Sequence, residues 1–146
     1  MARFEQRMEI DAPVEKVWGI LTNSATWDQW FPDVDRVTGL STIQDGATFQ
    51  WQSGNDSGSG SIAAVDENRG LIKVVTSEGG KQITHIFDLD RSGGLFGLGG
   101  GDTRLTYHRE YDTAGGFLGE FVAGGNPADL LKVKHTLEKV KRLAEG

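Results

Sequence analysis

The chain has 146 residues, 37% hydrophobic and 25% charged, with a formal net charge of −6 and a pI near 5.0; these values fit one globular domain able to bury a sizeable core. The acidic balance argues against nucleic acid as a partner, since nucleic-acid surfaces carry a basic stripe, and against an anionic membrane surface. The absence of cysteine excludes disulfides and thiolate chemistry, and no stretch approaches the roughly 20 apolar residues of a membrane span.

Residues 3–10 alternate: Phe4, Gln6, Met8 and Ile10 share one face and Arg3, Glu5, Arg7 and Glu9 the other, the pattern of a half-buried strand. This charged start lacks the apolar core of a signal peptide, which points to a cytoplasmic setting. Asp11 is the expected cap of a short helix whose stripe is Val14, Val17, Trp18 and Leu21. Asn23 or Ser24 is placed to cap a second short helix carrying Trp27 and Trp30, with Phe31 following and Pro32 ending it.

From Val34 onward the signal changes to hairpins. Glycine, at 21 of 146 residues, is about double its usual share of roughly 7%. Asp45-Gly46, Asn55-Asp56-Ser57-Gly58, Asn68-Arg69-Gly70 and Gly79-Gly80 are turn signals. They delimit strands over about 34–43, 47–54, 59–67, 71–78, 81–91 and 102–112, and consecutive hairpins make these neighbours antiparallel. Residues 114–125 stay ambiguous between a loop and an apolar turn. Asn126 and Pro127 are an expected cap and first residue of a final helix with the stripe Leu130, Val133, Leu137, Val140 and Ala144. A long antiparallel sheet needs its apolar face covered. One long helix does not fill the concavity of a bent seven-stranded sheet, so an internal cavity is expected.

The run Asp11-Ala12-Pro13-x-x-x-Val17-Trp18-x-x-Leu21, then Trp27-x-x-Trp30-Phe31-Pro32-x-Val34, resembles the opening of the START/Bet v 1-like superfamily, whose bacterial members are grouped as SRPBCC or polyketide cyclase/dehydrase-like proteins. The ending Leu137-Glu138-x-Val140-Lys141-x-Leu143-Ala144-Glu145 is similar to the close of their last helix, and the element order matches over essentially the whole chain. The resemblance implies an α+β helix-grip fold: a seven-stranded antiparallel curved sheet around a long C-terminal helix, with two short helices after the first strand. It also implies a pocket for lipids, polyketides or other apolar molecules. Members include binders, transporters, aromatase/cyclases and hydrolase-like enzymes, so fold alone does not decide activity, and no catalytic motif of the family transfers residue by residue.

Gln6, His85 and Arg109 are polar side chains at inward positions among apolar neighbours. A buried arginine is costly unless paired and hydrogen-bonded; Glu78, cavity water or a ligand are its candidate partners. Arg109 and His85 then either orient a ligand carbonyl or carboxylate, with His85 able to move a proton, or are an arginine reaching solvent and a hydrogen-bonded core histidine. Tyr107 either meets a ligand oxygen or packs with its hydroxyl satisfied locally. Trp30, Phe49, Trp51, Phe87, Leu130 and Leu137 are the apolar candidates for the cavity wall.

The glycine run 93–101, with Leu95, Phe96 and Leu98, suits a hydrophobic lid, a hairpin extension or a subunit contact. It lacks the Lys-Ser/Thr ending and the following helix of a phosphate loop, and Gly58-Ser59-Gly60-Ser61 lacks the strand-to-helix context of a dinucleotide fingerprint. His85, His108 and His135 are scattered, so no metal and no cofactor are expected. The leading function is binding of a small hydrophobic ligand by a monomer or homodimer; the alternative is a polyketide aromatase/cyclase using the same cavity, and a third option is an interaction protein whose glycine-rich loop makes dimer contacts.

Overall fold

The structure, a computed structural model, describes residues 2–31, 34–40, 42–78, 81–91, 103–111 and 127–146. The glycine run with Phe96, the segment 114–125, Asn126, Pro32 and the Gly79-Gly80 turn lie outside the described residues, as do the side chains of Glu78 and Leu130.

Seven strands form one antiparallel sheet: β1 (Ala2–Ile10), β2 (Arg36–Thr38), β3 (Thr48–Ser53), β4 (Asp56–Asp66), β5 (Leu71–Glu78), β6 (Lys81–Arg91) and β7 (Thr103–Tyr111). Their order across the sheet is β1-β7-β6-β5-β4-β3-β2. Helices α1 (Val14–Leu21) and α2 (Trp27–Trp30) follow β1, separated by a short 3₁₀ turn, and α3 (Pro127–Glu145) closes the chain. This is the helix-grip fold. Helix α3 packs against β1, β7, α1 and α2, burying Val133, Thr136, Leu137, Val140 and Ala144.

Burying one large apolar side chain is worth roughly 1.5–3 kcal/mol, and the short helices depend on this term because they are too short to hold themselves. Val17 and Leu21 anchor α1 in the core. Trp27 and Trp30 anchor α2, and each indole N–H is satisfied locally: Trp27 Nε1 donates to the Leu21 carbonyl at 2.9 Å and Trp30 Nε1 to Thr26 Oγ1 at 3.0 Å. Phe31 leaves α2 in an extended conformation, φ −62° and ψ 135°, as a residue before proline must.

Three local expectations are corrected. Asp11 does not cap α1: Pro13 occupies that place without a side-chain cap, and the Asp11 N–H instead donates to Glu145 Oε2 at 2.7 Å, across 134 positions. Strand β2 is confined to three residues, because Gly39 turns the chain at φ +82°. The β3–β4 hairpin turns at Gly54-Asn55, with Gly54 at φ +59° and Ser53 paired to Asp56, so Asp56, Ser57 and Gly58 belong to β4 rather than to a turn.

Gly58 and Gly60 have a different purpose. They pair across the sheet with Trp51 and Phe49, whose rings lie over the bare glycine backbone. A Cβ on Gly60 would stand 2.3 Å from Phe49 Cζ, and one on Gly58 only 2.1 Å from the Ser77 carbonyl oxygen. Trp51 Nε1 also donates to the Ser59 carbonyl at 3.1 Å. The strand bends just beyond, where its register shifts between Ile62 and Ala64 and Asp45 Oδ1 accepts the Val65 N–H at 2.6 Å.

Gly58→Ala is expected to lower unfolding free energy in urea by about 1–3 kcal/mol or more, the cost of overpacking against backbone that cannot retreat. Gly19→Ala, on the exposed side of α1 with nothing within 4 Å of its new Cβ, is expected to raise it by up to about 1 kcal/mol through helix propensity. Equal effects of the two would contradict this packing.

Candidate functional site

The inner face of the sheet is set by pairing. His85 on β6 is the partner of Arg109 on β7 and of Val74 on β5, and Phe87 is the partner of Tyr107 and of Ile72. Phe4 lies opposite Arg109 and Gln6 opposite Tyr107. All but Gln6 are buried in the core, and because strand side chains alternate, their neighbours His108 and Ile86 face outward.

An aromatic cluster packs over this face. Phe31 stacks on Trp27 with centroids 4.9 Å apart and lies 4.9 Å from His85; Phe87 stacks on Tyr107 at 4.5 Å and meets the edge of Trp30 at 5.3 Å. Trp27 also makes an edge contact with Phe49 at 5.5 Å. These separations match favoured aromatic pairings, each worth about 0.5–1.5 kcal/mol beyond burial.

Within it sits a polar chain. Tyr107 hydroxyl and His85 Nδ1 are 2.6 Å apart, and His85 Nε2 and Thr76 Oγ1 are 3.0 Å apart. All three residues are buried, His85 to 1% exposure, and Arg109 beside them is only 4% exposed. Burial, helped by the positive Arg109, holds the His85 imidazole well below its ordinary pKa of 6.5, since both disfavour a second positive charge. His85 is therefore a neutral imidazole at neutral pH, able to donate through one nitrogen and accept through the other.

The residues singled out in the sequence divide as follows. His85, Tyr107, Arg109, Phe87 and Trp30 are brought together on or against the inner face. Trp51 and Phe49 lie farther along the sheet over the β4 glycines, and Leu137 is buried on α3. Gln6 shares the inner face by register, but its side chain is exposed. Phe96 and the Leu130 side chain lie outside the described residues. Thr76 was not singled out, although its alternation with Ile72 and Val74 places it on the same face.

His108 lies on the opposite face, 2.7 Å from Glu5. Among the described residues no group of three or more histidine, aspartate or glutamate side chains is arranged to hold a metal ion, and no helix is long and apolar enough to cross a membrane.

A curved antiparallel sheet gripping a C-terminal helix is the fold of the START/Bet v 1-like class. Over residues 1–145 the chain matches the polyketide cyclase / dehydrase and lipid transport family, and it belongs to that family. Among solved structures it is similar to the aromatase/cyclase Zhui from a Streptomyces species, with 16% identity, 98% of this chain and 93% of that one covered, and a TM-score of 0.72. It is also similar to the di-domain ARO/CYC BexL of the BE-7585A biosynthetic pathway (15% identity, 99% and 47% covered, TM-score 0.74). A third is DynU16, from the dynemicin biosynthetic locus (19% identity, 97% and 46% covered, TM-score 0.66). The chain spans about half the length of the latter two. At these identities the likeness is one of fold. No curated protein matches the chain.

The low His85 pKa has a stability consequence with a definite sign. Below its ordinary value of 6.5 the unfolded chain binds a proton that the folded chain refuses, so stability falls with falling pH. The contribution approaches about 1.4 kcal/mol per pH unit. Urea titrations between about pH 6.5 and pH 5 are expected to show this slope, and His85→Gln to lack it; an equal slope in both proteins would contradict a neutral buried His85.

Proposed function

We propose that this chain binds a small hydrophobic molecule between the inner face of the sheet and α3, with an oxygen of that molecule directed toward His85, Tyr107 and Arg109. The observation that carries this reading is the hydrogen-bonded chain Tyr107–His85–Thr76 beside a buried guanidinium, set into an otherwise apolar face. Apolar residues of similar volume commonly stabilise a core as well as buried polar groups do. A ligand that needs polar groups at this position accounts for their presence there. Apolar walls with a few convergent polar groups are the usual chemistry of small-molecule sites. The family description, with its polyketide and lipid chemistry, supports the ligand class. A cytoplasmic setting is part of the same proposal.

A specific observation favours a second reading, a polyketide aromatase/cyclase. Ring closure by aldol condensation removes a proton from a carbon between two carbonyls. The resulting enolate attacks a second carbonyl carbon, a carbon–carbon bond forms, and the alkoxide takes up a proton; loss of water follows. A neutral imidazole in contact with a phenol suits that proton traffic, and the Arg109 charge stabilises the enolate oxygen. The names of Zhui and BexL agree with such chemistry.

Thermal unfolding against lipids, polyketides and aromatic small molecules tests the first reading. A ligand at a hundred times its Kd adds about 2.7 kcal/mol, which for a chain of this size is a rise in Tm of roughly 5–10 °C. No rise with any of these classes would contradict it. The second reading predicts that His85→Ala and Arg109→Ala remain folded and lose about 10²–10⁴-fold in cyclisation rate. Unchanged rates in both would remove it.

A further inference from the structure

We propose that Thr76 is a positioning residue: its hydroxyl accepts the Nε2–H of His85, fixes the imidazole in that tautomer, and leaves Nδ1 to receive the hydrogen bond that Tyr107 donates. The inference deepens the reading above and rests on it for its functional meaning, because it assigns which proton each member of the polar chain holds.

Two arrangements fit the positions of the three residues. In one, Tyr107 donates to Nδ1 and Nε2 donates to Thr76. In the other, Thr76 donates to Nε2 and Nδ1 donates to the tyrosine oxygen. The shorter of the two distances favours the first. At 3.0 Å the Nε2–Thr76 contact has the usual length of an N–H···O bond, about 2.9–3.0 Å. At 2.6 Å the Tyr107–Nδ1 contact falls in the shorter range, about 2.5–3.0 Å, typical of hydroxyl donors. Acidity points the same way. A phenol, with an ordinary pKa of about 10, is a much stronger donor than an aliphatic alcohol, and an imidazole nitrogen lone pair is a good acceptor. The best donor therefore faces the best acceptor.

Thr76 is well placed for this task. It is 6% exposed, sits on β5, and reaches diagonally to His85 on β6, which meets Tyr107 on β7. The chain thus crosses three strands whose register holds its members in place. When Tyr107 takes a proton from a ligand, its own proton passes to Nδ1. The imidazolium so formed keeps Nε2–H on Thr76, and the ligand is left as an anion near Arg109 and His85. Without Thr76 as acceptor the ring is free to carry its proton on Nδ1, and Tyr107 then faces a donor instead of an acceptor.

Heteronuclear NMR of the ¹⁵N-histidine-labelled, ligand-free full chain at neutral pH tests this, since imidazole ¹⁵N shifts report the tautomer directly. His85 is expected to be mainly Nε2–H in the wild type, to move substantially toward Nδ1–H in Thr76→Val, and to return to the wild-type pattern in Thr76→Ser. Wild-type His85 carrying its proton mainly on Nδ1, or a folded Thr76→Val with unchanged populations, would overturn the proposal. The wild-type spectrum decides the tautomer even where the valine variant fails to fold. The measurement needs no ligand, so a failure of the ligand-binding reading shows separately, as the absence of any rise in Tm.

Discussion

Cross-strand pairing of β6 with β7 puts His85 beside Arg109 and Phe87 beside Tyr107. Because side chains alternate along a strand, a slip of either strand by one residue would send its two members of this group to the opposite face. The aromatic side of this arrangement holds the register: Phe87 and Tyr107 stack on one another, and Trp30 and Phe31 pack on Phe87 from α2 and its end. The polar side depends on that apolar frame. His85 stays neutral because the surrounding rings exclude water and Arg109 adds its charge nearby.

The remaining elements support this frame. Helix α2 has only four residues and owes its place to two buried indoles rather than to helix propensity. Gly58 and Gly60 let Trp51 and Phe49 lie against β4, so the aromatic layer continues along the sheet. At the other edge, Lys141 reaches both Glu145 and the Glu9 carbonyl, while Glu145 takes the Asp11 N–H. The end of α3 is thus held to the end of β1. Exposed ion pairs of this kind contribute little stability; the buried Val133, Leu137, Val140 and Ala144 hold the helix over the sheet.

Much of this was legible in the residues, for physical reasons. Strict alternation over β6 and β7 put His85, Tyr107 and Arg109 on one face, and the Val17–Trp18–Leu21 and Trp27–Trp30–Phe31 spacing marked the short helices. What escaped depends on contacts far apart in sequence. Asp11 looks like a cap locally, yet its N–H is satisfied by Glu145 at the other end of the chain. Gly58 reads as a turn residue until the opposing Trp51 ring is in view. Thr76 is an unremarkable strand threonine until the diagonal to His85 is known. The distinction between binder and cyclase is not encoded in any of these patterns, because both need the same polar groups on the same apolar wall.

We propose that this protein meets its ligand on the inner face around His85. The three histidines provide a built-in comparison: His85 is buried on the inner face, His108 lies on the outer face with Glu5, and His135 is exposed on α3. The direct measurement is a titration of ¹⁵N-histidine-labelled protein, followed by imidazole NMR, with the hydrophobic molecule that raises Tm most. The His85 resonances are expected to move and saturate while those of His108 and His135 stay in place. A saturating response from His108 or His135 with His85 unmoved would contradict it.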